Sequence, residues 1–191
     1  MKIKSLRIKN FRGYCDETTI NFEDLTAFVG QNDMGKSSIL EALDIFFNDS
    51  KGVIKLDKDD VNVGARANQD NEISIAICFA ETPDRIVIDA TNETTLENEY
   101  LLNSDGLLEV IKKYPNGGNA KVFIRAYHPT NPCCADLLLK KDSELRRIIE
   151  TNQIPCTDRS RNAIMRTAIW TNNIVTPPLS SKKVLANLIR S

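Results

Sequence analysis

The chain has 191 residues, 41% of them hydrophobic and 27% charged, proportions that exclude a wholly disordered or collagen-like polymer. A chain of this length buries roughly 70% of the surface its unfolded form exposes, enough for a core without covalent staples. Its net charge of −1 gives no overall nucleic-acid footprint, and no apolar run approaches the roughly 18 residues of a membrane span.

The expectation is one domain, or one domain with an appendage, and no membrane contact. The start, Met1-Lys2-Ile3-Lys4, has no secretory apolar core. The five cysteines, Cys15, Cys78, Cys133, Cys134 and Cys156, are odd in number and form no CxxC pair. A zinc site or disulfide framework is therefore disfavoured, and a cytoplasmic setting is expected. Charge is unevenly spread. Residues 137–191 carry 10 Lys/Arg against 4 Asp/Glu, net +6, and residues 1–136 carry 15 against 22, net −7. The simpler reading of the basic tail is a solvated helical face; the sharper one is contact with a phosphate backbone.

In chain order, Leu6 to Lys9 alternates as a strand does, with a phase change at Ser5 that predicts a bulge. Asn10-Phe11-Arg12-Gly13 reads as a turn, and Thr18 to Phe22 as a second strand. Leu25 to Val29 is continuously apolar or small, the pattern of a strand covered on both faces. A helix is expected from Ser37, with Ile39, Leu40, Leu43, Phe46 and Phe47 on its apolar face. Residues 48–71 are polar and read as a long loop with a short turn or helix. Strands are expected at Glu72–Phe79, Arg85–Ala90, Tyr100–Leu102 and Lys121–Tyr127, with a turn at Pro115-Asn116-Gly117-Gly118. Helices are expected over Asp136–Glu150 and Arg159–Trp170, and a third near Lys182. The division by composition is an N-terminal lobe over residues 1–132 and a helical segment over residues 133–191.

One motif carries strong chemistry. Gly30-x-x-x-x-Gly35-Lys36-Ser37 matches the phosphate-binding loop in full, between a strand pattern and a helix pattern. The glycines let the backbone approach phosphate without an intervening side chain. Successive N–H groups and the positive helix end then face the anion. Lys36 bridges the β- and γ-phosphates in this pattern, and the Ser37 hydroxyl ligates Mg²⁺. The predicted fold class is α/β, a P-loop NTPase whose cofactors are ATP and Mg²⁺.

Asn10-Phe11-Arg12 at the end of the first strand, with Gly-Gln-Asn-x-x-Gly-Lys-Ser-Ser at residues 30–38, resembles the ATP-binding heads of the SMC, RecF and OLD families. Val63-Gly64-Ala65-Arg66 before the strand at Ile73 adds to the resemblance. So do Leu137-Leu138-Leu139-Lys140 and Asp158-Arg159-Ser160-Arg161 for the OLD type. Asp33 stands where those families usually carry the first glycine of Gly-x-Gly-Lys, which tilts the choice towards the OLD type. The resemblance implies an ABC-class ATPase head with a mixed or antiparallel β portion and a C-terminal helical appendage. It implies a phosphate-side contact from Arg12, phosphate wrapping by Asn32, Gly35, Lys36, Ser37 and Ser38, and Val61, Asn62 and Val63 near ribose or adenine. With the loop positions Gly30, Asp33 and Met34, these residues, Asn62 among them, are the expected nucleotide contacts.

The implied function is ATP hydrolysis coupled to DNA processing, as in OLD-type endonucleases of phage defence or repair. The alternative is a RecF- or SMC-type maintenance ATPase without a nuclease. DNA contact through the full-length protein and homo-oligomerisation are the implied partners. A small-molecule kinase using the same loop is disfavoured by the strand-rich middle of the chain. No signature motif, Walker B Asp-Glu or switch histidine stands in the sequence, so the chain is expected to be the N-terminal piece of a longer protein, and no catalytic residue is assigned.

Weaker candidates have simpler structural readings. Asp89 in Ile86-Val87-Ile88-Asp89 lacks a following glutamate and reads as a strand end. His128 before Pro129 reads as a turn cap. Cys133-Cys134 has no second metal-ligand pair. Asp57-x-Asp59-Asp60 lacks the glycine and closing glutamate of a calcium loop. Trp170 reads as packing between helices.

Overall fold

The computed structural model describes residues 1–30, 35–49, 51–89, 92–129, 131, 134, 136–173 and 183–186. In chain order the regular elements are β1 (Lys2–Lys9), β2 (Thr18–Asn21), α1 (Lys36–Asn48), α2 (Val63–Ala67), β3 (Glu72–Ala80), β4 (Ile86–Asp89) and β5 (Asn92–Thr94). They continue with β6 (Leu108–Pro115), β7 (Lys121–Ala126), α3 (Asp142–Thr151), α4 (Asn162–Asn173) and β8 (Lys183–Ala186). The larger sheet has the order β2-β1-β3-β6-β7-β8, and β4 and β5 form a separate pair. The architecture is α/β. Two compact units divide the chain: residues 1–80 with 109–123, and residues 81–108 with the described part of 124–188.

In the first unit β1 lies between β2 and β3, antiparallel to both. The register shift between Ile3 and Ser5 is the predicted bulge. Leu6 pairs with Ile77 and Ile8 with Ile75, and all four side chains are fully buried. Each such burial stabilises by about 1.5–3 kcal/mol. Ile39, Ala42, Ile45 and Phe46 of α1 are also buried. Tyr114 of β6, 1% exposed, donates its hydroxyl to the Ile45 carbonyl at 3.4 Å. Gly117 turns the chain between β6 and β7 with φ +66°, a left-handed conformation that suits glycine.

Several expectations are corrected. Residues 25–29 are not a strand, and Leu25 and Val29 are 89% and 93% exposed. The Thr26 hydroxyl accepts the Glu23 N–H at 3.0 Å and bends the chain there instead. The strand covered on both faces is β3, where Ile75 to Phe79 is an unbroken buried run. Leu40 and Phe47 of α1 are exposed, because the buried stripe follows Ile39, Ala42 and Phe46 at i+3 and i+4 steps. The strand expected at Tyr100–Leu102 is absent: Tyr100 takes φ +54° in a turn, and its N–H bonds to the Glu97 carbonyl. The strand β6, which the sequence reading did not place, forms over Leu108–Pro115. The helix expected near Lys182 is replaced by the short strand β8, which joins the sheet beside β7. Lys182 itself, and the prolines before it, lie outside the described residues.

In the second unit α3 and α4 pack together around Leu145, Ile149, Met165, Ile169 and Trp170. The helix expected from Asp136 is split: a 3₁₀ turn over Leu137–Leu139 ends at Lys140, whose extended backbone separates it from α3. The Trp170 indole donates to the Cys134 carbonyl at 3.1 Å, which places it as core. His128 is 1% exposed, with Nδ1 3.2 Å from the Tyr100 carbonyl. Arg166, 1% exposed, makes a two-pronged ion pair with Glu99 at 2.7 and 2.8 Å.

Candidate nucleotide-binding site

The site is built on the turn that follows β1. Asn10 and Arg12 take φ +57° and +48°, which folds residues 10–15 into a tight reversal. Phe11 and Tyr14 exchange backbone hydrogen bonds at 2.8 and 2.9 Å. The turn is then tied to the segment before α2. The Arg12 N–H donates to the Asp60 carbonyl at 2.8 Å, and the Asn62 N–H to the Asn10 carbonyl at 3.0 Å. Val61, 2% exposed, bridges to Phe11.

Asn62 holds both ends of this junction. Its Oδ1 accepts from Gly64 and Ala65 N–H at 2.9 and 3.2 Å, capping α2, and its Nδ2 donates to the Arg12 carbonyl. Such a cap contributes about 1 kcal/mol. Asp57 similarly caps the 3₁₀ turn at Lys58–Asp60, accepting the Asp59 N–H at 2.7 Å. The acidic run at residues 57–60 is therefore turn chemistry. Among the described residues no cluster of three metal-ligating side chains occurs.

Gly35, just before α1, meets the same turn. Gly35 precedes α1 with φ +77°, and a Cβ there would stand 3.1 Å from the Tyr14 hydroxyl. Only glycine combines that conformation with that approach. The Tyr14 hydroxyl donates to the Gly35 carbonyl at 3.2 Å, and burial pushes its pKa above the ordinary value, so it remains a donor at neutral pH. Gly30 has φ +152°, and its carbonyl accepts from Lys36 Nζ, so the lysine side chain reaches back to Gly30.

The start of α1 suits an anion. It carries no side-chain cap and no acidic residue in its first turn, so no side chain of its own competes for its leading N–H groups. Ser37 is exposed there, where its hydroxyl can reach a metal–phosphate pair, whereas Ser38 is 8% exposed and faces inward. A cradle of glycine backbone, a lysine, an open helix end and an exposed hydroxyl fits a nucleotide phosphate with Mg²⁺.

Of the expected residues, Arg12, Gly30, Gly35, Lys36, Ser37, Ser38 and Asn62 fall into one linked region of the first unit. Asn32, Asp33 and Met34 lie outside the described residues. Val61 is buried and Val63 is 78% exposed, so the two valines do not share one face. Sequence reading missed three participants: Tyr14, Glu41 and Asp60. Arg12 pairs with Glu41 of α1, and its Nε donates to Asp60 Oδ1 at 2.8 Å. These partners stand 29 and 48 positions away in the chain, and no local spacing could announce them.

The second unit contains a cleft of about 420 Å³ flanked by Arg85 and Arg161. Both arginines already have carboxylate partners, Glu93 at 2.8 Å and Asp158 at 3.2 Å.

The profile of the AAA ATPase domain family matches residues 1–181. The chromosome partition protein Smc of Halobacteriovorax marinus is 50% identical over 44 residues, which is 22% of this chain and 4% of that protein. The DNA replication and repair protein RecF of Lactococcus lactis is 48% identical over 44 residues, 22% of this chain and 12% of that protein. A solved structure from work on ATP-driven dimerization and DNA-stimulated activation of SMC ATPases overlays with a TM-score of 0.43 at 18% identity, over 94% of each chain. The matched stretch thus spans a small fraction of the length of these curated relatives.

Proposed function

Because the chain belongs to the AAA ATPase domain family, we propose that it is the nucleotide-binding head of an SMC/RecF-type ATPase, acting in DNA maintenance. The observation that carries this reading is the loop itself. Lys36, at the start of α1, reaches back to the Gly30 carbonyl, and Gly35, packed against Tyr14, precedes a helix start that carries no side-chain cap. Arg12, ion-paired with Glu41 and Asp60, lies on the adjoining turn braced by Tyr14.

In this reading Lys36 lies along the β- and γ-phosphate oxygens, and the leading N–H groups of α1 hold the β-phosphate. The Ser37 hydroxyl would help hold Mg²⁺, which would supply neutralisation of the phosphate charge. Asn32, Asp33 and Met34 line the loop, and Arg12 and Asn62 lie towards the phosphate and nucleoside sides. Turnover requires a residue that orients water, and none of the site residues is assigned that role. The chain alone then binds nucleotide and hydrolyses it very slowly. An OLD-type nuclease head is the second reading, favoured by Asp33 in place of the usual glycine.

Calorimetric titration with Mg²⁺-ATPγS tests the proposal. Lys36→Ala should weaken binding by at least about tenfold, since a buried phosphate charge loses a charge-assisted donor. Unchanged affinity in a folded variant would refute the assignment.

A further inference from the structure

Arg12 is gripped by two acids at two different points. Asp60 holds it near the backbone, through Nε at 2.8 Å and through the Arg12 N–H to the Asp60 carbonyl at 2.8 Å. Glu41 holds only the far end, at a terminal guanidinium nitrogen. The guanidinium carbon also lies 5.1 Å from the Phe11 ring centre. Side-chain exposures of 33% for Arg12, 24% for Glu41 and 14% for Asp60 leave the group only partly screened by water.

Two carboxylates around one guanidinium leave a local charge of −1. Glu41 stands five residues after Lys36 in α1, roughly 7.5 Å along the helix axis, so this excess lies beside the end that takes phosphate. An anion arriving there meets repulsion unless Arg12 changes partners. A guanidinium has five donors in a fixed fork, so its terminal nitrogens can leave Glu41 while Nε stays on Asp60.

We propose that Glu41 is a positioning residue that latches Arg12 in the nucleotide-free protein. Asp60 is the hinge on which Arg12 swings from the Glu41 carboxylate to the terminal phosphate of a nucleoside triphosphate. The latch sets a threshold for triphosphate over diphosphate: ATP supplies the oxygens that replace Glu41, and ADP does not reach them. This rests on reading residues 30–38 as the phosphate loop.

The test is a double-mutant cycle on the full chain, titrated with Mg²⁺-ATPγS and with Mg²⁺-ADP. Glu41→Gln should tighten ATPγS binding by about tenfold, roughly one hydrogen bond to a charged group, with a smaller gain for ADP. In an Arg12→Ala background the same change should give no gain. Equal or weaker ATPγS binding by Glu41→Gln would overturn the latch. So would an equal gain with and without Arg12, which would assign Glu41 to direct repulsion of phosphate. If Glu41→Gln folds poorly by circular dichroism, Glu41→Ala carries the same expectation. A wild-type chain that binds neither nucleotide, or a Lys36→Ala variant that binds as well as wild type, removes the loop reading and the latch with it. Failure confined to the cycle removes the latch alone.

Discussion

At the scale of single residues, the turn after β1 owes its shape to side chains that replace missing backbone partners. Asn10, 2% exposed, donates to the Glu72 carbonyl at 3.1 Å, and Lys9 donates to Asp70 at 2.9 Å. The Lys9 ammonium, helped by the Asn10 amide, holds the Asp70 carboxyl below the usual carboxylate range, and the same contact raises Lys9 above its own. A depressed carboxylate stabilises the fold above its unfolded pKa and loses that contribution as pH falls through its folded value. The raised lysine contributes below its ordinary value of about 10.5 and loses its share only as pH rises beyond it. Both side chains are more than 40% exposed, so the effect is below about 1 kcal/mol. Urea unfolding followed from pH 7 to pH 2.5 should show a shallower acid loss in Asp70→Asn than in wild type, confined to the region below about pH 4. Parallel curves for the two proteins would mean that the pair does not couple to folding.

At the scale of elements, α4 is anchored by the buried Arg166–Glu99 pair. Removing one member leaves a buried charge unpaired, so Arg166→Leu should cost about 3–5 kcal/mol in unfolding free energy. Adding Glu99→Leu should recover much of that loss, and a double variant as unstable as the single would contradict this account of the pair. The same residue shows where sequence reading stopped. The strands at β1, β2, β3 and β7 and the helices α1 and α4 were legible because each alternates or repeats at its own period. The motif at residues 30–38 stood out in the sequence because phosphate chemistry dictates residue types at fixed spacing. Leu25–Val29 misled because an apolar run marks burial only when neighbouring strands cover it, and β3 took that place. The strand β6 was missed because Lys112 and Lys113 interrupt its apolar run; they reach Asp49 and Glu72, partners visible only in three dimensions. Arg166 looked like surface charge for the same reason.

At the scale of the whole molecule, residues 137–191 keep nearly all of their +6, because the partners of Arg146, Arg159 and Arg161 are acids of the same segment already counted in that sum. Arg146, Arg159, Arg161 and Arg166 each have a carboxylate partner. We propose that the nucleotide chemistry concentrates at the turn, at residues 30–38 and at the start of α1. That concentration is the central claim. It is tested most directly by mapping amide chemical shifts of the ¹⁵N-labelled chain during titration with Mg²⁺-ATPγS. The account predicts saturable shifts centred on Gly35, Lys36, Ser37 and Ser38, extending to Arg12 and Tyr14, with residues 142–170 unmoved. Shifts centred instead on the Arg85 and Arg161 cleft, with the start of α1 silent, would contradict it.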